Sequence, residues 1–301
     1  MSDDLKQVRH EPPNRLRRLF YRRAIVVAIA GNVLLAAAKG LVAWQTGSSA
    51  VLSDAANSLS DTFYSLLMAV GLHLAQQPAD ETHPQGHSRF EPLVSLLIGL
   101  AMGLAGYSAI REGVERFLTG GGRVALAWPT AVLLSGVAVK VVMYRVVIGL
   151  GRRAESPALR ASARDNLADV LASLAAWLGV VGSNLFHPLL DPIAGLLVAL
   201  WIFRAMWEIF RENLGYLTGR AAAPEVTSDI VEAASTVPGV RNVHQVIADY
   251  VGPELRVDMH IDVDGEVTLY EAHAIAERVA ERVEGLSAVD LAFVHVEPAD
   301  Q

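Results

Sequence analysis

Cysteine is absent from the 301 residues, which removes disulfides, thiolate metal sites and cysteine nucleophiles together. Charge is also scarce: 19% of the chain is Asp, Glu, Lys or Arg, against 52% hydrophobic. That apolar fraction is high for a soluble domain. No G-x-x-x-x-G-K stretch is present, so nothing points to nucleotide hydrolysis, and no nucleophile–base arrangement suits an intramembrane hydrolase. Basic residues are few in the last part of the chain. Residues 220–301 hold 5 Lys/Arg against 16 Asp/Glu, while residues 1–219 hold 20 against 16. The chain therefore divides into an apolar part of net +4 and an acidic part of net −11. No nucleic-acid partner is expected from that acidic balance.

The apolar part reads as six membrane spans near 24–45, 50–75, 90–117, 124–149, 158–182 and 188–210, each about the ~20 residues a bilayer needs. The second and fifth have weak hydropathy, so a window average is expected to find only four or five. Arg15, Arg17, Arg18, Arg22 and Arg23 precede the first span, and no small-residue cleavage site follows it, so a cleaved signal peptide is not expected. Arg89 lies between spans two and three, and Arg152, Arg153, Arg160 and Arg164 between four and five. The opposite links, 45–49 and 184–188, hold no Lys or Arg, and the one near 120–122 holds few. The positive-inside rule then puts both termini in the cytoplasm.

Two stretches break the apolar pattern. The first, SSAVLSDAANSLSDTFYS at 48–65, carries Asn57 and Asp61 four residues apart, with Asp54 on the same stripe. The second, SARDNLADVLAS at 162–173, carries Asp165 and Asp169 with the same spacing. Four residues is one helical turn, so each pair shares a face. A carboxylate at mid-membrane costs about 2.5–3.5 kcal/mol or more and persists where it meets a partner, water or a cation. Two helices bearing such pairs can surround one divalent ion with four oxygen ligands. Small residues around both pairs let the helices approach. Lys39 and Lys140 also fall inside apolar spans; pairing with an acid, snorkelling and lining a path are all open to them. The link PADETHPQGHSRFE adds Asp80, His83 and His87, spaced by three and four, a metal-type set that a bland surface loop could also contain.

From residue 213 the pattern becomes that of a soluble domain. A helix opens at Pro224, and strands are expected at 243–251 and 255–263 around a Gly252-Pro253 turn. A Thr268/Glu271 capping box starts a second helix, and 291–296 reads as a last strand. The order αββαβ makes a small α+β domain. Its His244, His260, His273, His295 and Glu297 are scattered over strands and helix, with His260 on a polar strand face beside Asp258 and Asp262.

Together these residues resemble the cation diffusion facilitator family of divalent-metal exporters. The likeness covers nearly the whole chain, most specifically LSDAANSLSD, PADETHPQGHSRFE, SARDNLADVLAS and LDPIAGLLVAL. It implies a cytoplasmic N-terminal segment (1–23), a six-helix all-α transmembrane domain (24–212) and a cytoplasmic ferredoxin-like αββαβ domain (213–301) for metal binding and dimerisation. It implies a homodimer in the cell (inner) membrane that exchanges metal for protons by alternating access. The family's transport site falls on Asn57, Asp61, Asp165 and Asp169. Its loop site falls on Asp80, His83 and His87, and its cytoplasmic ligands on His244, His260, His273, His295 and Glu297. Zinc-type members place histidine first in the span-five pair; Asp165 and Asn57 instead resemble the manganese-exporting branch. Oxygen-only ligands suit Mn²⁺ better than Zn²⁺. The expectation is proton-coupled Mn²⁺ efflux, with Zn²⁺, Fe²⁺ or Co²⁺ as alternative cargo and a non-transporting metal sensor or scaffold as the rival class.

Overall fold

A computed structural model describes residues 15–46, 49–120 and 129–299. Residues 1–14 of the N-terminal segment, parts of the 45–49 and 120–122 links and the first residues of the 124–149 span lie outside the described residues. The chain splits into two compact units, Met1–Asn213 and Leu214–Gln301.

The first unit holds six long helices: α1 (Arg15–Thr46), α2 (Ser49–Ala75), α3 (Phe90–Leu118), α4 (Pro129–Arg153), α5 (Pro157–Leu185) and α6 (Leu190–Leu217). Four are long and apolar enough to cross a membrane among the described residues: the stretches Leu16–Gln45, Phe90–Leu118, Pro157–Leu185 and Leu190–Leu217. The fifth span meets that standard after all, at a mean hydropathy of 1.4 against 1.8–2.1 for the others. Helices α2, which carries the polar stripe of Asp54, Asn57 and Asp61, and α4 are not among the four. Helix α1 begins inside the arginine-rich segment rather than after it, since Arg and Leu propagate a helix well. Arg160 and Arg164 likewise lie in the first turns of α5, where both reach Glu212 of α6 at 2.6 and 3.5 Å.

Helix α1 packs along α2 and α4, α5 along α4 and α3, and α2 along α3, while α2 meets α4 and α5 only narrowly. Small side chains make the close approaches. Ala158, Ala161, Ala163 and Ala168 of α5 are buried. On α3, Gly99, Gly103 and Gly106 form a groove that takes Phe210, Met206 and Ile202 of α6. Outward-facing Leu34, Leu41, Leu97, Leu104 and Leu197 are more than half exposed, as lipid-facing residues are when no bilayer surrounds them.

The second unit contains α7 (Pro224–Ser235), β1 (Asn242–Val251), β2 (Glu254–Val263), α8 (Leu269–Glu284) and β3 (Val289–Pro298). The αββαβ order is as read from the sequence, and each expected strand is present. The sheet order is β1-β2-β3, with β1 antiparallel and β3 parallel to β2. Gly252, at φ +71, makes the tight β1–β2 turn that a side-chain-bearing residue would strain. Leu255, Val257, Met259, Ile261 and Val263 alternate inward on β2 and meet Ile275, Val279 and Val283 of α8 and Ile230 of α7. Both helices therefore cover one sheet face. The polar side chains of β2 lie on the other.

Candidate metal centre

Asp61 on α2 and Asp165 and Asp169 on α5 come together, one oxygen from each lying within 4.8 Å of the others. Two features of α5 set this up. Ser156 caps the helix by accepting the Leu159 N–H at 3.1 Å, and Pro157 occupies the first turn. The 165/169 turn then brings both carboxylates close to Asp61 of α2. Asn57, one turn before Asp61 on α2, is exposed and extends the oxygen stripe.

Lys140 of α4 enters the middle of this cluster. Its Nζ donates to Asp61 Oδ2 at 2.8 Å and to Asp169 Oδ2 at 2.6 Å, and its side chain is 6% exposed. The ammonium thus bridges α2 and α5 at the place a cation would occupy. Lys39 of α1 makes a second pair one to two turns away, with Asp54 at 2.8 Å and Ser58 at 3.0 Å. Spacing alone left both lysines undecided; both pair with acids.

Glu91, at the start of α3, is a functional candidate that spacing did not single out. Its carboxylate is 2% exposed and accepts from Tyr21 Oη of α1 at 2.7 Å and from Ser156 Oγ, the cap of α5, with Arg17 at 3.5 Å. One buried acid therefore ties α1 and α3 to the beginning of the helix that carries Asp165 and Asp169. The visible signal was a lone acid opening an apolar run in RFEPL.

The loop between α2 and α3 brings Asp80, His83 and His87 together. His87 Nδ1 donates to the Pro78 carbonyl at 3.0 Å, which turns Nε2 towards Asp80 Oδ2 at 3.5 Å. His83 Nδ1 is 3.6 Å from Asp80 Oδ1. Fixing one imidazole nitrogen so that the other can ligate is how metal sites are commonly supported. The Thr82 hydroxyl and the His83 backbone N–H, both at 2.7 Å, pull the Asp80 pKa down to about 2. Its carboxylate stays charged throughout the physiological range.

On the open face of the C-terminal sheet, strand register does the gathering. His260 lies opposite His295 and Asp262 opposite Glu297. A bulge between Val243 and Gln245 re-aims His244 towards them. His260 Nδ1 reaches Glu297 Oε1 at 2.9 Å, His295 Nε2 is 3.6 Å from the same oxygen, and His244 Nε2 is 3.7 Å from Oε2. Asp262, only a neighbour in the sequence reading, contacts His244 Nδ1 at 3.0 Å and so belongs to the group. His273 does not join it: on exposed α8 it pairs with Glu277, one turn on, at 3.3 Å.

Two family descriptions match this chain: "Cation efflux transmembrane domain" over residues 25–218 and "Cation efflux protein, cytoplasmic domain" over residues 222–299. An uncharacterized transporter of Methanocaldococcus jannaschii is 34% identical, with 92% of this chain and 98% of the relative aligned. The manganese efflux system protein MneS of Bacillus subtilis is 27% identical over 92% and 95%. The magnetosome protein MamM of Paramagnetospirillum magneticum is 32% identical over 86% and 82%. A nickel form of a MamM C-terminal domain aligns with 26% of this chain and all of that chain at 39% identity, with a TM-score of 0.26.

Proposed function

This chain belongs to the cation efflux family of multi-pass membrane transporters of divalent metal ions, and on that premise we propose that it exports Mn²⁺ from the cytoplasm in exchange for protons, as a homodimer in the cell membrane. Asp61, Asp165 and Asp169, with Asn57 beside them, are the transport ligands in this reading. The observation that carries it is the all-oxygen cluster between α2 and α5, with Asp61 buried and Asp165 and Asp169 half-buried. Carboxylate and amide oxygens suit Mn²⁺, whereas zinc sites favour imidazole and thiolate. The name of MneS, a manganese efflux protein aligned over nearly its full length, supports the same cargo.

The charge count supports a divalent passenger. Asp54, Asp61, Asp165 and Asp169 face Lys39 and Lys140, leaving a formal charge of about −2 in a low-dielectric region where uncompensated charge is costly. One dication cancels it. After the ion leaves, protons can take its place, because clustered carboxylates resist ionising together. The Arg-rich links place both termini in the cytoplasm. Asp80/His83/His87 and His244/His260/His295/Glu297 are accessory sites, with His273 outside the second. Imidazole at both favours Zn²⁺ there, which keeps Zn²⁺ as the second reading of the cargo.

The test is flux into proteoliposomes at a fixed pH gradient, with Mn²⁺, Fe²⁺, Co²⁺ and Zn²⁺ in competition. Mn²⁺ should be carried best and should move protons the other way. Faster Zn²⁺ flux in the unaltered protein would overturn the manganese assignment. Metal binding without any flux would return the chain to a sensor role.

A further inference from the structure

We propose that Lys140 is a specificity- and turnover-determining residue of the transport site, a tethered third positive charge that occupies the metal's place and must yield oxygens for the metal to bind. The inference rests on reading Asp61, Asp165 and Asp169 as the transport ligands. Its Nζ lies within hydrogen-bond distance of Asp61 and Asp169 together, on oxygens that a bound cation would use. The side chain comes from α4, a helix that supplies none of the three carboxylates, and it is buried. Among the described residues, the charged groups acting on it are Asp61 on α2 and Asp165 and Asp169 on α5, while Lys39 from α1 is engaged with Asp54 and Ser58.

Two consequences follow from electrostatics. Three carboxylates alone would hold a dication with an excess negative charge and release it slowly. With Lys140 their sum is −2, so a dication brings the cluster to neutrality and a trivalent ion overshoots. Binding must also displace the ammonium from at least one oxygen, and the same ammonium is at hand to refill the site when the ion departs. Lys140 thus lowers affinity and speeds release. Because α2 meets α4 and α5 only narrowly, this bridge is also the polar link that changes when metal enters. A merely structural ion pair would show the opposite sign on removal, loosening the site and weakening metal binding.

The experiment is equilibrium binding of Mn²⁺ to the detergent-purified full chain, paired with liposome flux. Lys140→Gln should lower the Kd for Mn²⁺ by about tenfold or more, the scale expected when a unit charge a few ångströms away is removed, while maximal flux falls. Lys140→Arg should stay near the unaltered protein in both. Lys39→Gln, which removes a charge bonded to Asp54 and Ser58 rather than to the triad, should change Kd by clearly less than Lys140→Gln does. An unchanged or raised Kd in well-folded Lys140→Gln protein would overturn the proposal, as would equal tightening by Lys39→Gln. Should Lys140→Gln not fold, the comparison moves to Asp169→Asn against Lys140→Gln/Asp169→Asn. Tighter Mn²⁺ binding by the double variant supports a competing charge; equal or weaker binding rejects it. Unaltered binding in both Asp61→Ala and Asp169→Ala would instead reject the transport-site reading itself.

Discussion

The two halves of this protein gather metal-type ligands in opposite ways. Between α2 and α5, buried Asp61 and half-buried Asp165 and Asp169 approach one another, and the fold supplies its own cation, Lys140, to hold Asp61 and Asp169 there. On the C-terminal sheet, His244, His260, His295, Asp262 and Glu297 crowd an open face where water keeps the cost low. Among the described residues, no Lys or Arg side chain pairs with the imidazoles or carboxylates of that cluster. Burial therefore decides whether a ligand cluster needs a built-in counter-charge.

The hardest blow to this contrast comes from the buried side. On the proposed reading, Asp61→Ala or Asp169→Ala removes a ligand and a proton carrier together and should reduce metal-driven proton movement to the background of empty liposomes. Each also leaves Lys140 with one partner fewer, at a cost of about 3–5 kcal/mol for a broken buried pair, so purified yield must be checked alongside flux. Substantial flux in both variants would place the transported ion elsewhere. Asp165→His should act more gently: an imidazole replaces an oxygen ligand, and the ratio of Mn²⁺ to Zn²⁺ transport should fall by about tenfold, with Asn57→His/Asp165→His falling further. An unmoved ratio would separate selectivity from these two positions.

The exposed side predicts a smaller effect of a different kind. Divalent metal should raise the melting temperature of the full chain in detergent, since a ligand that binds only the folded state stabilises it by mass action. His260→Ala/His295→Ala should remove part of that gain and leave transport within about twofold. Loss of flux equal to that of Asp169→Ala would erase the distinction between the two sites.

What could be read from the sequence follows the same division. Helix periodicity put Asp61 level with Asn57 and Asp165 level with Asp169, and strand alternation put His260 on a polar face. Both are local regularities of 3.6 and 2 residues. Partners across elements were another matter. Nothing in the chain order says that Lys140 of α4, rather than Lys39 of α1, meets Asp61, because that depends on how three helices rotate against one another. Glu91 showed only as a lone acid opening an apolar run, its meaning residing in Tyr21 and Ser156, 70 and 65 residues away. His273 looked equivalent to the other histidines until α8 turned it towards Glu277, and Asp262 gained its place from the β2–β3 register and the bulge before it.

Two helix caps carry the comparison down to single hydrogen bonds. Thr268 opens α8 in a reciprocal capping box, its hydroxyl accepting from the Glu271 N–H at 3.3 Å while the Glu271 carboxylate accepts from the Thr268 N–H at 2.9 Å. The Thr268 N–H, and the Thr268 hydroxyl at 2.8 Å, both donate to that carboxylate and hold the Glu271 pKa below its ordinary value. The group is therefore charged and bonded at neutral pH, and its contribution is present above the unfolded pKa and fades as pH falls through the folded one. Ser156 opens α5 with similar chemistry, but it is fully buried and also donates to Glu91. Ser156→Ala should remove a cap and leave a buried acid short of a partner, costing about 1–3 kcal/mol beyond the cap itself. Thr268→Ala removes a cap that water can partly replace and should cost about 1 kcal/mol. Thermal unfolding of the two variants in the same detergent orders them, and the Thr268→Ala deficit alone should shrink as the pH is lowered through the Glu271 titration. Equal losses would mean that burial adds nothing to a cap, and the contrast between the two halves would then rest on the ligand clusters alone.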